Sequence, residues 1–286
     1  MVTTSNLFAP YCRGLPLRQL SLYFAKPYRA NSGMMRLITS AILLFLLCSA
    51  ASAQGKRLSP TETALQFYSA LRDKRYVEGF AVSVYRGAVE GLTPDELREL
   101  EPDFTRTFAT IPAKVEPGEE KVDGDTATVL LRFEDVDEPQ QVVLLKVNGE
   151  WLVGDRDGLA AVKEQGRAFF FNTRMAVNEA ETYEMLLRIL SAELLYGQRH
   201  QGLQLSLAEM VKLGALPQDV QDGGASGYRL KMTLGEDAKA FFAIATPDAY
   251  GKTGRLSFYV DAGGVRAEDL KGQPATVRSP AYKPPR

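Results

Sequence analysis

The sequence predicts an α+β protein of two modules, in each of which helices precede an antiparallel sheet. Three observations predict it. A helix-start signal at residues 59–62 opens a stretch of apolar residues at helical spacing, and after Pro112 the period becomes that of strands. Residues 171–217 read as a long amphipathic helix with a short partner behind it. Three β-like runs then follow, separated by clusters of Gly, Asp and Pro.

In the first module, Ser59 can cap a helix, Pro60 fits the first helical position and Glu62 supplies a first-turn carboxylate. Ala64, Phe67, Tyr68 and Leu71 continue at helical spacing, as do Phe80, Val84 and Tyr85 further on. Thr93, Pro94, Asp95 and Glu96 start a short helix through Leu97 and Leu100. Residues 114–122, 126–135, 141–147 and 151–155 are expected as strands, joined at Asp123-Gly124, Glu138-Pro139 and Asn148-Gly149. Asn-Gly is the most specific of these, because a two-residue hairpin turn needs positive φ at both positions. Residues 158–167 are charged and mildly helical, with Gly166 as a boundary. Phe169, Phe170 and Phe171 are expected to pack between modules or against the helix start rather than bind a ligand.

In the second module, Ala176, Ala180, Tyr183, Leu187, Leu190 and Leu194 fall on one helical face and predict its dry side. Arg174, Glu179, Glu184, Arg188 and Glu193 predict the wet one. Leu205, Leu207, Met210, Val211 and Leu213 form a short helix or turn, with Ser206 as its cap and Gly214 as its stop. Residues 227–234, 240–246 and 255–260 then read as a three-stranded meander. The tail, 271–286, carries Pro274, Pro280, Pro284 and Pro285 and is expected to be flexible or polyproline-like.

At the N-terminus, Met34-Met35-Arg36, an apolar run from 37 to 48 and Ala51-Ser52-Ala53 have the layout of a secretory signal cleaved after Ala53. The run is too short to be a lone membrane span. Residues 1–33 are polar, basic and aromatic and read as an extension upstream of that signal. Residues 1–53 hold no Asp or Glu but five basic residues, so the 34 basic residues of the chain fall to 29 against 35 acidic ones after cleavage. An acidic body of this kind argues against nucleic acid as a partner. Both cysteines, Cys12 and Cys48, would be lost as well, leaving no disulfide, thiolate nucleophile or cysteine metal ligand.

Two resemblances rest on particular residues. Ala64, Phe67, Tyr68, Ala70, Leu71 and Tyr76, with the run K-V-N-G-E-W-L-V-G-D at 146–155, resemble the nuclear transport factor two-like superfamily of cone-shaped α+β domains. The likeness implies such a domain over 57–160. Isomerases and dehydratases in that superfamily imply a pocket between helices and sheet, with Asp155 or Asp157 as acid or base and Tyr68 or Tyr85 donating to an oxyanion. The plainer alternative is that the two carboxylates solvate a strand exit and the tyrosines belong to the core. Further on, N-E-A-x-T at 178–182, L-A-E-M at 207–210, G-Y-R-L-x-M at 227–232, F-F-A-I-A-T-P at 241–247 and G-R-L-S-F-Y-V-D-A-G-G-V-R at 254–266 look like the soluble part of type IV pilins and type II secretion pseudopilins. That implies a pilin-like helix on a small antiparallel sheet over 168–270. The membrane-length stem of a pilin does not directly precede Asn178, so assembly by the usual pilin route is not expected.

No catalytic signature stands out. His200, the lone histidine, reads as a surface or helix-capping residue. Asp219, Asp222, Gly223 and Gly224, and likewise Asp261, Glu268 and Asp269, are oxygen-rich in the way calcium loops of some pseudopilins are, but they read as ordinary turn residues. No cofactor, metal or catalytic set is expected. The expectation is an exported, periplasmic or secreted, non-enzymatic envelope protein that binds a protein partner, such as envelope or secretion machinery, or a small ligand. It would have no stable membrane span after cleavage. An isomerase-like enzyme in the first module, or a minor component of a secretion or pilus machine, is the alternative.

Overall fold

The computed structural model describes residues 57–134, 136–218, 220 and 224–284. The expected extension 1–33 and signal 34–53, with Cys12 and Cys48, lie outside these residues, as do Asp219, Asp222 and Gly223. The fold is α+β, with helices and two antiparallel sheets. Its contacts divide it into two compact units, one holding 57–90 and 104–164, the other Gly91–Asp103 and Gln165–Pro285. In contrast to the uninterrupted module 57–160 read from the sequence, a thirteen-residue segment, Gly91–Asp103, therefore belongs with the second unit.

In the first unit, α1 (Pro60–Arg72) begins where the sequence says it should: Ser59 accepts the Glu62 N–H at 3.1 Å and Glu62 accepts the Ser59 N–H at 2.8 Å, a closed capping box. α2 (Tyr76–Ala81) and α3 (Arg86–Glu90) follow. α4 (Pro94–Phe108), whose residues up to Asp103 belong to the second unit, runs two turns beyond the short helix expected, because Pro102 sits inside it without ending it. The strands β1 (Val115–Asp123), β2 (Thr126–Phe133), β3 (Gln140–Val147) and β4 (Glu150–Val153) form a meander in that order, and α1 packs on it. Asn148 and Gly149, at φ 52° and 83°, make the tight turn between β3 and β4. Phe67, Leu71, Phe80, Val129, Leu131, Val142 and Leu144 are all buried to 1 % exposure or less. Each contributes about 1.5–3 kcal/mol of burial. β1 is an edge strand exposed along almost its whole length, and its run of Glu116, Pro117, Glu119 and Glu120 with a bulge discourages further pairing.

The second unit is organised by α6 (Phe169–Arg199), which starts at the first residue of the triple phenylalanine, two residues before the expected start at 171. α5 (Arg156–Gln165) and a 3-10 turn, Gly166–Ala168, precede it in the chain. After α6 come α7 (Leu207–Lys212), closed by a Ser206–Glu209 capping box, and the strands β5 (Gly224–Ala225), β6 (Tyr228–Leu234), β7 (Phe241–Pro247), β8 (Ser257–Asp261) and β9 (Gly264–Glu268). The sheet is five-stranded, in chain order, and not the three-stranded meander expected. β5, two residues long, and β9, which starts within the Gly263-Gly264 pair that reads as a turn, are the two strands not expected. Met185, Leu186 and Ile189 of α6 share one apolar core with Leu205, Met210, Tyr228, Phe241, Phe258 and Val260.

Two expectations for this unit need correction. The dry face of α6 is Met175, Asn178, Thr182, Met185, Leu186, Ile189 and Glu193, about one residue round the helix from the expected stripe. Tyr183, Leu187 and Leu190 flank it, while Ala176 and Leu194 are exposed. The expected stripe passed over the buried polar residues, of which Asn178 and Glu193 lie there because backbone groups opposite need partners. The tail is also not loose. Ala275 and Ser279 are buried, and residues 280–282 lie antiparallel along β9.

Candidate functional site

The four residues singled out as a pocket end up in different surroundings. Tyr85 and Asp155 come together; Tyr68 and Asp157 do not join them. Tyr85 is placed by a local knot in which the Ser83 hydroxyl donates to Phe80 O at 2.9 Å and accepts the Tyr85 N–H at 3.1 Å. Val84 N and Val153 O bond at 3.0 Å, tying this segment to the end of β4. Asp155 follows one residue after Gly154. A Cβ built on Gly158 would touch Asp155 Oδ1 at 3.2 Å and the Tyr85 hydroxyl at 3.5 Å, so the two oxygens border the same small space. Burial pushes the Tyr85 hydroxyl up, and the negative charge of Asp155 adds to the rise.

Asp155 is nevertheless a helix cap. Its Oδ1 accepts the Gly158 N–H at 2.7 Å and its carbonyl the Leu159 N–H at 3.1 Å, the two bonds of an N-cap on α5. Asp157 lies exposed in the first turn of α5, favourable to the helix dipole. Tyr68 is buried among rings, edge-on to Phe67 at 5.3 Å and to Phe133 at 5.2 Å, and burial pushes its hydroxyl up. Phe80 fills the space beyond, against Phe67, Tyr85, Phe104 and Phe108.

On the outside of this unit, an open groove of about 360 Å³ lies between α1 and the start of β1, bordered by Leu65, Ser69, Arg72, Lys114 and Val115 among others. Its cations are engaged. Arg72 bonds Asp73 and Ala113 O, each at 2.8 Å, and Lys114 pairs with Glu116 at 2.7 Å.

The second unit has a denser set of polar contacts, from residues that sequence reasoning put in water or did not single out. Asn178 Nδ2 donates to Thr253 O at 2.8 Å, and Glu179 Oε1 accepts the N–H groups of Arg255 at 2.7 Å and Leu256 at 3.2 Å. Tyr228 donates to Leu256 O at 2.9 Å. Together they hold the loop between β7 and β8 against α6. Arg174, its side chain only 11 % exposed, meets Asp103 at 2.6 Å and Glu99 at 3.1 Å, and Lys252 reaches Glu99 at 3.2 Å.

Glu193 is wholly buried. Its Oε2 accepts the Leu205 N–H at 2.9 Å, pinning the chain between α6 and α7, and Oε1 has no partner among the described protein atoms. Burial pushes this carboxyl up to about 7, with the Leu205 N–H pulling it down and the Glu209 charge adding to the rise. A usable signal was present: Asn178, Ile189 and Glu193 share one helical face, and a polar residue in register with a core apolar one marks a buried hydrogen bond, as Asn178 and Glu193 do.

His200 ends α6 as its C-cap, its ring stacked on Tyr196 at 3.8 Å and Nδ1 2.9 Å from Tyr196 O. The remaining carboxylates of these positions are engaged: Asp261 accepts the Gly263 N–H and Asp269 the Lys271 N–H in turns, and Glu268 accepts the Ser279 hydroxyl from the tail. Among the described residues, no group of three or more His, Cys, Asp or Glu is placed to hold a metal ion, and no helix is long and apolar enough to cross a membrane. No family model matches this chain, and neither a curated protein nor a solved structure matches it.

Proposed function

We propose that this chain is an exported, non-enzymatic protein of the cell envelope that binds a protein partner, or a small ligand, through a pilin-like second unit. The observation that carries the reading is a group of exposed leucines at the end of α6 and around α7: Leu194 at 46 %, Leu195 at 58 %, Leu203 at 42 % and Leu213 at 64 %. Isolated exposed leucines are ordinary; four within one helix end and the segment after it supply the apolar area that protein docking uses. Export rests on the signal-like pattern of residues 34–53.

Two measurements test this. N-terminal sequencing of the protein recovered from the envelope should begin at Gln54; a retained apolar run would favour a component of a secretion or pilus machine instead. Cross-linking in cells with the wild type and with Leu194→Ser/Leu213→Ser should give a partner band that the variant loses. Equal capture by both would contradict docking at this surface.

A second reading, an isomerase-like or dehydratase-like site in the first unit, has the Tyr85–Asp155 neighbourhood in its favour. The cap that Asp155 makes on α5 weighs against it, because the Oδ1 that would act as acid or base is taken up by the Gly158 N–H at the helix start. Asp155→Asn keeps the capping oxygen, so loss of a small-carbonyl ligand at unchanged melting temperature would revive this reading.

A further inference from the structure

β9 is the last strand of the second sheet, so its outer edge would present unpaired backbone groups. The tail covers it. Ala267 N donates to Pro280 O at 3.1 Å, Tyr282 N donates to Val265 O at 3.0 Å, and Arg266 lies opposite Ala281. Two side chains of β9 grip Ser279: Arg266 Nη1 donates to its carbonyl at 3.3 Å, and Glu268 Oε2 accepts from its hydroxyl at 2.8 Å. The Tyr282 ring then enters an aromatic slot, edge-on to Tyr183 at 5.0 Å and to Phe258 at 5.4 Å. Ser279 is buried and Tyr282 partly so, while Arg278, Pro280 and Ala281 face outward.

This is strand addition with side-chain selection: backbone bonds hold an extended segment, and pockets at alternate positions choose its residues. Backbone pairing supplies only two bonds of that hold. Pro280 has no N–H to return a bond to Ala267 O, so the ladder cannot continue as a regular pair. Once Ala275 leaves its buried seat, the connector 269–278, at about 3.3 Å per residue, spans on the order of 33 Å, enough to deliver the segment to another molecule. A segment that joins its sheet through two backbone bonds, and is otherwise seated by side chains in pockets, is an arrangement that can exchange between identical chains.

We propose that the β9 edge and the Tyr183–Phe258 slot form a binding groove for an extended Ser-Pro-Xaa-Tyr segment, and that its partner in solution is the tail of a second copy of this chain. The resident tail competes as a tethered ligand, and its high local concentration keeps the groove closed at low protein concentration. The proposal stands apart from export and from the exposed leucines of α6.

A fluorescent peptide of residues 277–284 tests the groove on the full chain. Wild type should bind it saturably but weakly, Tyr282→Ala should bind it at least about tenfold more tightly because its own tail no longer competes, and a peptide with Ala in place of the tyrosine should not bind. No saturable binding to wild type or to the variant would overturn the groove, and the wild-type titration decides this even if the variant misfolds. The partner is tested by Glu268→Cys/Ser279→Cys in a full chain that also carries Cys12→Ser and Cys48→Ser. Oxidation should give a fraction of disulfide-linked dimer that grows with protein concentration; an intrachain bridge alone at every concentration would overturn the second copy as occupant.

Discussion

Glu193 is the residue at which burial and charge are most at odds. Its folded pKa, about 7, lies above the ordinary value of 4.5, so the folded state holds the proton more tightly than the unfolded one. The stability this gives is complete below pH 4.5 and is lost as pH rises through about 7. Thermal melts should therefore show the wild type weakening between these values. Glu193→Gln keeps an oxygen for the Leu205 N–H and cannot ionise, so its melting temperature should exceed that of the wild type at pH 8 and approach it at pH 4.5. Parallel melting curves at all pH values would remove Glu193 as the cause. Gly254 makes a different kind of demand. A Cβ there would collide with the Tyr228 hydroxyl and ring, and Tyr228 is fully buried and bonded to Leu256 O. Gly254→Ala should cost about 1–3 kcal/mol in urea denaturation, and an unchanged midpoint would mean that the ring has room to move.

At the scale of elements, much of the architecture could be read from residue types. Ser59 and Ser206 announce their helices because each has a glutamate three residues on, and both capping boxes form. Asn148-Gly149 sets the β3–β4 register for the reason any such dipeptide does: both residues take positive φ. The orientation of α6 was not legible from hydropathy, since Asn178 and Glu193 count as polar in any scale yet serve backbone groups of other segments. Tyr85 and Asp155 could be named as neighbours of interest, but not the cap: which oxygen partner a carboxylate takes depends on where the next helix starts. The tail misled because its prolines forbid a regular strand without forbidding a single rung of pairing. The rotated face of α6 has a direct consequence. Ile189→Ala, at a fully buried position, should cost about 2–5 kcal/mol, whereas Leu194→Ala, on the expected stripe but 46 % exposed, should stay within about 0.5 kcal/mol. Equal losses in chemical denaturation would restore the stripe that hydropathy suggests.

Across the whole molecule, the chain builds two cores, one on each sheet, and the second unit takes residues from two stretches of sequence. Arg174 makes the point, since its partners Glu99 and Asp103 lie in Gly91–Asp103, over seventy residues earlier. A fragment starting at residue 168 would lose both partners and leave a mostly buried guanidinium unpaired, so it should be less stable than the same unit in the full chain. α6 is packed on the strands after Gly224 and forms a core of its own there. Hydrogen exchange followed by mass spectrometry, comparing full-length wild type with Ile189→Ala, reads this packing out. Exchange should accelerate in α6 and in β6, β7 and β8, and stay unchanged in β2 and β3; acceleration in β2 and β3 with β6–β8 unaffected would contradict it.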